Sequence, residues 1–188
     1  VYLVDRTIPM LPEVLSNNLC SLRPNEDRYA FSAVFELDKE AEVVKEWFGR
    51  TVIHSNRRFT YAEAQERLET GQGDFADEVC RLQELAKKMR ARRMKAGGID
   101  FDTEEVRFRL DSEGRPVEVL IKRMLDANRL IEDYMLLANV RVAQWVSNCK
   151  GQKKPGGVYR VHDSPDPTKL KALRMFVAQF GYKMPETE

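Results

Sequence analysis

The chain has 188 residues, 43% hydrophobic and 32% charged; this is the size of about one domain and excludes an intrinsically disordered chain, which could not offset its ordering entropy. Lys and Arg total 31 against 30 Asp and Glu, and the resulting net charge of +1 excludes a whole-chain field that would gather polyanions, so any nucleic-acid role must rest on local patches. The three cysteines, Cys20, Cys80 and Cys149, are odd in number and widely spaced, which argues against a disulfide framework or a zinc site and for a reducing, cytoplasmic setting.

Residues 1–24 are apolar but interrupted by Pro9, Pro12 and Pro24, leaving room for one helical turn around Glu13 to Asn17. Tyr29, Phe31, Ala33, Phe35 and Leu37 then alternate with polar or small residues, which predicts a half-buried strand over 28–37. A second β run, about 43–59, pairs with it across a turn at Asp38 to Ala41. Thr60 reads as the N-cap of a short helix over 61–69, followed by a loop at 70–73.

A long helix over 74–95 places Phe75, Val79, Leu82, Leu85 and Met89 at steps of three and four, and Gly97-Gly98 stops it. Lys87, Lys88, Arg90, Arg92, Arg93 and Lys95 crowd its last turns, complement the negative end of the helix dipole, and read as a solvated face in preference to an RNA contact. Residues 104–110 and 116–123 alternate around Asp111-Ser112-Glu113-Gly114 and predict a β-hairpin. A second long helix, 126–149, carries Ile131, Met135, Ala138, Val142 and Trp145 in a stripe widened by Leu130 and Leu137, and is expected to be mostly buried. A Lys, Pro and Gly loop at 151–157, a short strand at 158–161 and an amphipathic helix over 167–180 complete the chain. The expected class is α+β, a mixed, mainly antiparallel sheet packed against long helices. No apolar run approaches the roughly 18 to 20 residues of a membrane helix, so no membrane partner is expected.

Three groups of residues could carry chemistry. Asn128, Glu132 and Asn139 fall within roughly 40° of one another at about 100° per residue on an otherwise apolar helix, and a buried polar stripe needs partners. Either these groups cap backbone or bind ordered water, or Glu132 accepts hydrogen bonds from a ligand's hydroxyls. Asp100, Asp102, Glu104 and Glu105 surround Phe101; such carboxylates can converge on a hard cation but are more often solvated, and Phe101 can be core or a stacking surface. His54 and His162 are the two histidines, and neither sits in a GxSxG, HExxH or P-loop spacing. His162 reads as a hydrogen-bonding residue at a strand end, Tyr2 and Tyr61 as half-buried packing residues. Composition and spacing alone reach no catalytic constellation.

Particular strings go further. Val1-Tyr2-Leu3-Val4-Asp5-Arg6, Ile8-Pro9-Met10-Leu11-Pro12-Glu13-Val14-Leu15-Ser16-Asn17, Leu19-Cys20-Ser21-Leu22, Gly97-Gly98-Ile99-Asp100-Phe101, Asn128-Arg129-Leu130-Ile131-Glu132-Asp133 with Leu137-Ala138-Asn139, and Tyr159-Arg160-Val161-His162-Asp163 resemble the RNB catalytic domain of the ribonuclease II and ribonuclease R family. The resemblance covers essentially the whole chain and fits the bacterial ribonuclease R branch best.

It implies a processive 3′→5′ exoribonuclease that hydrolyses single-stranded RNA to nucleoside 5′-monophosphates with Mg²⁺. It also implies base stacking at Tyr2 and Phe101, where π-faces bind without sequence preference, and ribose contacts at Tyr61 and Glu132, where a 2′-hydroxyl can tell RNA from DNA. The family's D-F-D-D string, which holds the metal, and its Arg-Arg-Tyr-Pro-Asp segment have no match here. Residues 1–188 are therefore expected to be the central part of such a domain, truncated at both ends, with no catalytic or metal-binding residue of its own and inactive alone. Sheet edges left open could pair two copies into a homodimer. The rival reading is a non-catalytic RNA-binding or interaction module; a further rival, a hydrolase with Asp100, Asp102 and Glu132 as metal ligands, would require those carboxylates to converge.

Overall fold

The computed structural model describes residues 3–99, 105–149, 158 and 160–185. The backbone divides into two units, 1–148 and 149–188, each described by itself. The class is α+β, and the strands of the first unit form two separate antiparallel ribbons. Parallel pairing among the described residues outside the named strands is the isolated bridge between Pro24 and Ser55.

The first ribbon joins β1 (Asp27–Leu37) to β2 (Val43–His54), with Tyr29 opposite Val52 and Ala33 opposite Phe48. Its turn is made by Asp38, whose Oδ1 accepts from the amides of Glu40 and Glu42 at 2.9 and 2.8 Å. That local capture of backbone donors is why Asp favours turns. At the other end His54 Nδ1 and Asp27 Oδ1 lie 2.7 Å apart across the ladder. β2 thus stops at His54, short of the expected 59, because Ser55 bridges to Pro24 and Arg57 to Phe59 leave the ladder for a cluster at the first helix.

The alternation in β1 is present, but burial covers only part of it. Phe35 packs edge-on against Phe48 at 5.9 Å, and Phe48 meets Trp145 at 5.7 Å. Tyr29 and Phe31, on the same face, are 92% and 81% exposed. The second ribbon, β3 (Glu105–Leu110) and β4 (Pro116–Lys122), turns on Asp111, whose Oδ1 accepts from the amides of Glu113 and Arg115, both at 2.9 Å. Gly114 holds φ +79° in that turn, a backbone conformation that glycine adopts without steric cost.

Three helices, α1 (Tyr61–Thr70), α2 (Ala76–Lys95) and α3 (Asp126–Asn148), pack pairwise. Their seam buries Ala76, Ala86, Ala127 and Leu130 together with Gln83 and Asp133; small side chains let the backbones approach. This corrects two expectations. Leu82 of α2, and Ile131, Met135 and Trp145 of α3, are between 42% and 59% exposed, so the apolar stripes are only partly buried, and of the α3 stripe it is Leu130 that is buried in the seam. The inward face of α3 is instead the one that lets Asp133 reach arginines of α2.

The basic end of α2 is also corrected. Arg92 donates to the carbonyls of Glu40 and Ala41 and pairs with Glu42 at 3.1 Å, and Lys88 Nζ donates to the Lys39 carbonyl at 2.5 Å. Arg90 and Arg93 reach α3. Four of the cations expected on a solvated face are tertiary ties, because the β1–β2 turn presents carbonyls and carboxylates to Lys88 and Arg92, and α3 presents carboxylates to Arg90 and Arg93.

The second unit contains α4 (Pro167–Ala178), capped by Asp166, whose Oδ1 accepts from the Thr168 amide at 2.8 Å, with Pro167 at its first position. The strand expected at 158–161 is not formed at its described residues, Val158, Arg160 and Val161. The 151–157 loop lies outside the described residues. No helix among the described residues is long and apolar enough to cross a membrane.

Candidate nucleic-acid interface

Tyr61 is placed by the way α1 begins. Thr60 Oγ1 accepts from the Glu63 amide at 3.2 Å while Glu63 Oε2 accepts from the Thr60 amide at 2.7 Å, a reciprocal capping box that satisfies two otherwise orphaned groups. These hydrogen bonds from the Thr60 amide and hydroxyl, with Arg57 nearby, hold the Glu63 carboxyl below the usual carboxylate range.

Around the cap lies a clasp. Asp74 accepts from Arg67 Nη2 at 2.5 Å and from Arg57 Nε at 2.8 Å, and both guanidiniums lie over Phe59, 5.1 and 4.8 Å from its ring centre. The Arg67 bond first, and Arg57 with it, push the Asp74 carboxyl below its ordinary value, and Asp74 in turn raises Arg67. Phe75, at φ +57°, turns its ring edge-on to Phe59 at 6.4 Å, which is why α2 starts at Ala76 and not at Asp74.

Glu132 is placed by α3. The N-terminus of that helix is tied to α1, with the Ala127 amide donating to Gln65 Oε1 at 3.1 Å, and to its own Asn128, whose Oδ1 accepts from the Leu125 amide at 3.0 Å. Of the polar stripe read from the sequence, Asn128 is thereby a cap, as the structural alternative held. One turn on, the two carboxylates diverge. Asp133, with its side chain 2% exposed, pairs with Arg90 at 2.6 Å and with Arg93 at 3.1 Å. Glu132, with its side chain 45% exposed, meets Arg93 Nη2 at 3.4 Å. Beside them the Tyr134 hydroxyl donates to the Leu82 carbonyl at 3.2 Å; burial, with the charge of Asp133 added, raises its phenol above the ordinary value.

Tyr61 lines an apolar cavity of about 190 Å³ among α1, α2 and α3, together with Phe59, Leu68, Val79, Leu82 and Leu130. Glu132 is not among the residues lining it, while Asp133 lines a second cavity of about 360 Å³ with Arg92, Arg93 and Arg141. The structure therefore does not bring Tyr61 and Glu132 into a shared cavity; the helices that carry them meet at the Ala127–Gln65 hydrogen bond. Tyr2 and Phe101 lie outside the described residues, as do Asp100, Asp102 and Glu104.

As a magnesium site the carboxylate pair is a poor fit, since both oxygens of Asp133 face guanidiniums and Glu132 leans on the same arginine. No three His, Cys, Asp or Glu side chains converge on a possible metal position among the described residues. His54 is engaged with Asp27, and no described cysteine is in a disulfide. Sequence reading missed Asp133, Arg90 and Arg93 and the Arg57, Arg67 and Asp74 clasp. A signal existed for the first group: Arg90 and Arg93, three apart, share one face of α2, and a second carboxylate directly follows Glu132.

An exposed carboxylate supported by one arginine can accept hydrogen bonds from the hydroxyls of a sugar, and a half-exposed tyrosine can donate to or accept from them. Comparison with known proteins gives the family. The model of the RNB domain matches residues 1–186. The chain is 37% identical to the mouse (Mus musculus) exosome complex exonuclease RRP44 over 92% of its own length and 18% of the relative's. It is 33% identical to ribonuclease R 1 of Lactococcus lactis over 100% of its length and 23% of the relative's. The chain thus spans about one fifth of the curated relatives it matches.

Among solved structures, Mycoplasma genitalium RNase R in complex with ribose methylated single-stranded RNA superposes with a TM-score of 0.78 at 28% identity, covering 96% of this chain and 28% of that one. Yeast Ssd1, a pseudonuclease, shares the fold at a TM-score of 0.70 and 20% identity, over 100% of this chain and 23% of that one. The match over 1–186, with relatives above 30% identity, settles the family: the chain belongs to the RNB domain family.

Proposed function

We propose that this chain forms the RNA-holding part of a cytoplasmic 3′→5′ exoribonuclease that degrades single-stranded RNA to nucleoside 5′-monophosphates. In this reading Tyr61 and Glu132 contact ribose hydroxyls, Tyr2 and Phe101 stack on bases, and Mg²⁺ and its aspartate ligands belong to parts of the enzyme outside these 188 residues. The observation that carries the reading is the division between the two neighbouring carboxylates. Asp133 is consumed by two arginines, whereas Glu132 keeps a half-exposed carboxylate with a single long contact among the described residues, available to a ligand.

Hydrolysis in such an enzyme needs a metal to activate water and stabilise phosphate charge. The chain's own contribution is to fix the sugar, and to reject a strand that lacks the 2′-hydroxyl because Glu132 would then be left without its partner. The test is a labelled single-stranded RNA incubated with the purified chain, with and without Mg²⁺. The expected result is binding without release of mononucleotides. Mononucleotide release would place a metal site within these residues and overturn the division of labour; absence of RNA binding would overturn the RNA-holding role.

A further inference from the structure

We infer that Arg93 is a positioning residue for Glu132: it sets the orientation of the carboxylate that reads ribose, and so sets the preference of the site for RNA over DNA. The inference rests on the ribose-binding role proposed for Glu132. One amino group of Arg93, Nη2, lies 3.1 Å from Asp133 Oδ1 and 3.4 Å from Glu132 Oε1. The shorter contact is to the buried partner, so Asp133 anchors the guanidinium and the guanidinium then meets the exposed carboxylate from one side.

A long, flexible glutamate that is 45% exposed would otherwise sample several rotamers in water. Contact with Arg93 at Oε1 restrains it. Its anchor is held independently, because Arg90 pairs with Asp133 through the other oxygen, Oδ2, at 2.6 Å. The two arginines are therefore not equivalent. Among the described residues Arg90 pairs with Asp133 and not with Glu132, so it serves the seam between α2 and α3; Arg93 pairs with both acids, so it connects that seam to the surface.

This asymmetry gives the experiment its control. Binding of fluorescein-labelled oligo(A) and oligo(dA) to the full chain is measured by anisotropy for wild type, E132Q, R93M, R93K and R90M, each with its thermal melt. Wild type is expected to prefer RNA, and E132Q to lose that preference. R93M is expected to lower the RNA to DNA affinity ratio by about tenfold, the scale of one charge-assisted hydrogen bond, with affinity for oligo(dA) unchanged. R93K is expected to recover most of the ratio, and R90M to lower the melting temperature while keeping it.

If E132Q loses the preference and R93M keeps it, the positioning role is overturned and the ribose reading stands. If R93M weakens RNA and DNA alike and makes binding less salt-dependent, Arg93 contacts phosphate itself and the proposal fails in a different way. A wild type without RNA preference, or an E132Q variant that keeps it, overturns the ribose reading and this inference with it. If R90M removes the preference as fully as R93M, disorder of the seam explains both, and the special role of Arg93 falls.

Discussion

The helical seam and the β1–β2 ribbon satisfy their side chains by different means. In the seam, apolar burial is thin: four small or medium hydrophobic residues are buried, and charge pairs span α2 and α3 beside them. In the ribbon, apolar side chains are plentiful but covered at one end, where Phe35, Phe48 and Trp145 form a chain of ring contacts, while Tyr29 and Phe31 stand in solvent at the other. A two-stranded ribbon is marginal alone, so its stability must be concentrated where the helix touches it. The seam holds its elements by partners that cannot be removed singly, the ribbon by area that is unevenly spread.

The largest effect expected from this contrast is at Asp133. Changing Asp133→Ala leaves Arg90 and Arg93 without their common partner, and breaking a buried pair in this way costs about 3 kcal/mol. A melting temperature within a degree of wild type would show that the seam does not depend on the pair. Next comes the ribbon, where Phe35→Ala should cost about 2 kcal/mol through lost packing and Phe31→Ala, on the same face, less than about 0.5 kcal/mol because it is already exposed. Equal losses in chemical denaturation would mean that the outer end of the ribbon is covered in solution.

Smaller changes are expected where α1 begins. Asp74 has its carboxyl lowered by Arg67 and Arg57 from an ordinary value of 3.8. A folded-state value below the unfolded one contributes stability above the unfolded value, and that stability is lost as pH falls through the folded one. The difference in melting temperature between wild type and Asp74→Asn should therefore be full at pH 7 and close as the solution is acidified below about pH 4. A difference that does not change with pH would show that the clasp acts through shape and not through charge.

Much of the backbone was legible in the residues. Thr60 announces the N-cap of α1, Asp38 and Asp111 stand in the turns that the sequence places there, and period-2 alternation finds β1, β3 and β4, whereas the strand expected at 158–161 is not formed at its described residues. Those signals are local, a few residues wide, and the physics behind them does not depend on the rest of the chain. The candidate site was legible in part. Glu132 stood out as a carboxylate on an apolar helix, but its neighbour Asp133 did not, although Asp133 is the more buried of the two. Arg90 and Arg93 were read with the other cations as solvated, because a charge on a helix carries no mark of the partner it will find.

The sequence by itself determined the order and kind of the elements from β1 to α3, and through its strings of matched residues it determined the family. Tertiary structure alone decided which face of each helix turns inward. Apolar periodicity favours the stripe through Ile131, Met135 and Trp145, yet the seam follows Ala127, Leu130 and Asp133. A hydrophobic side chain left partly exposed loses only the free energy of its uncovered area, whereas a buried charge left without a partner costs several kcal/mol. The orientation that pairs Asp133 therefore prevails over the one that would bury the most apolar surface, and with it Glu132 is left at the edge of the seam.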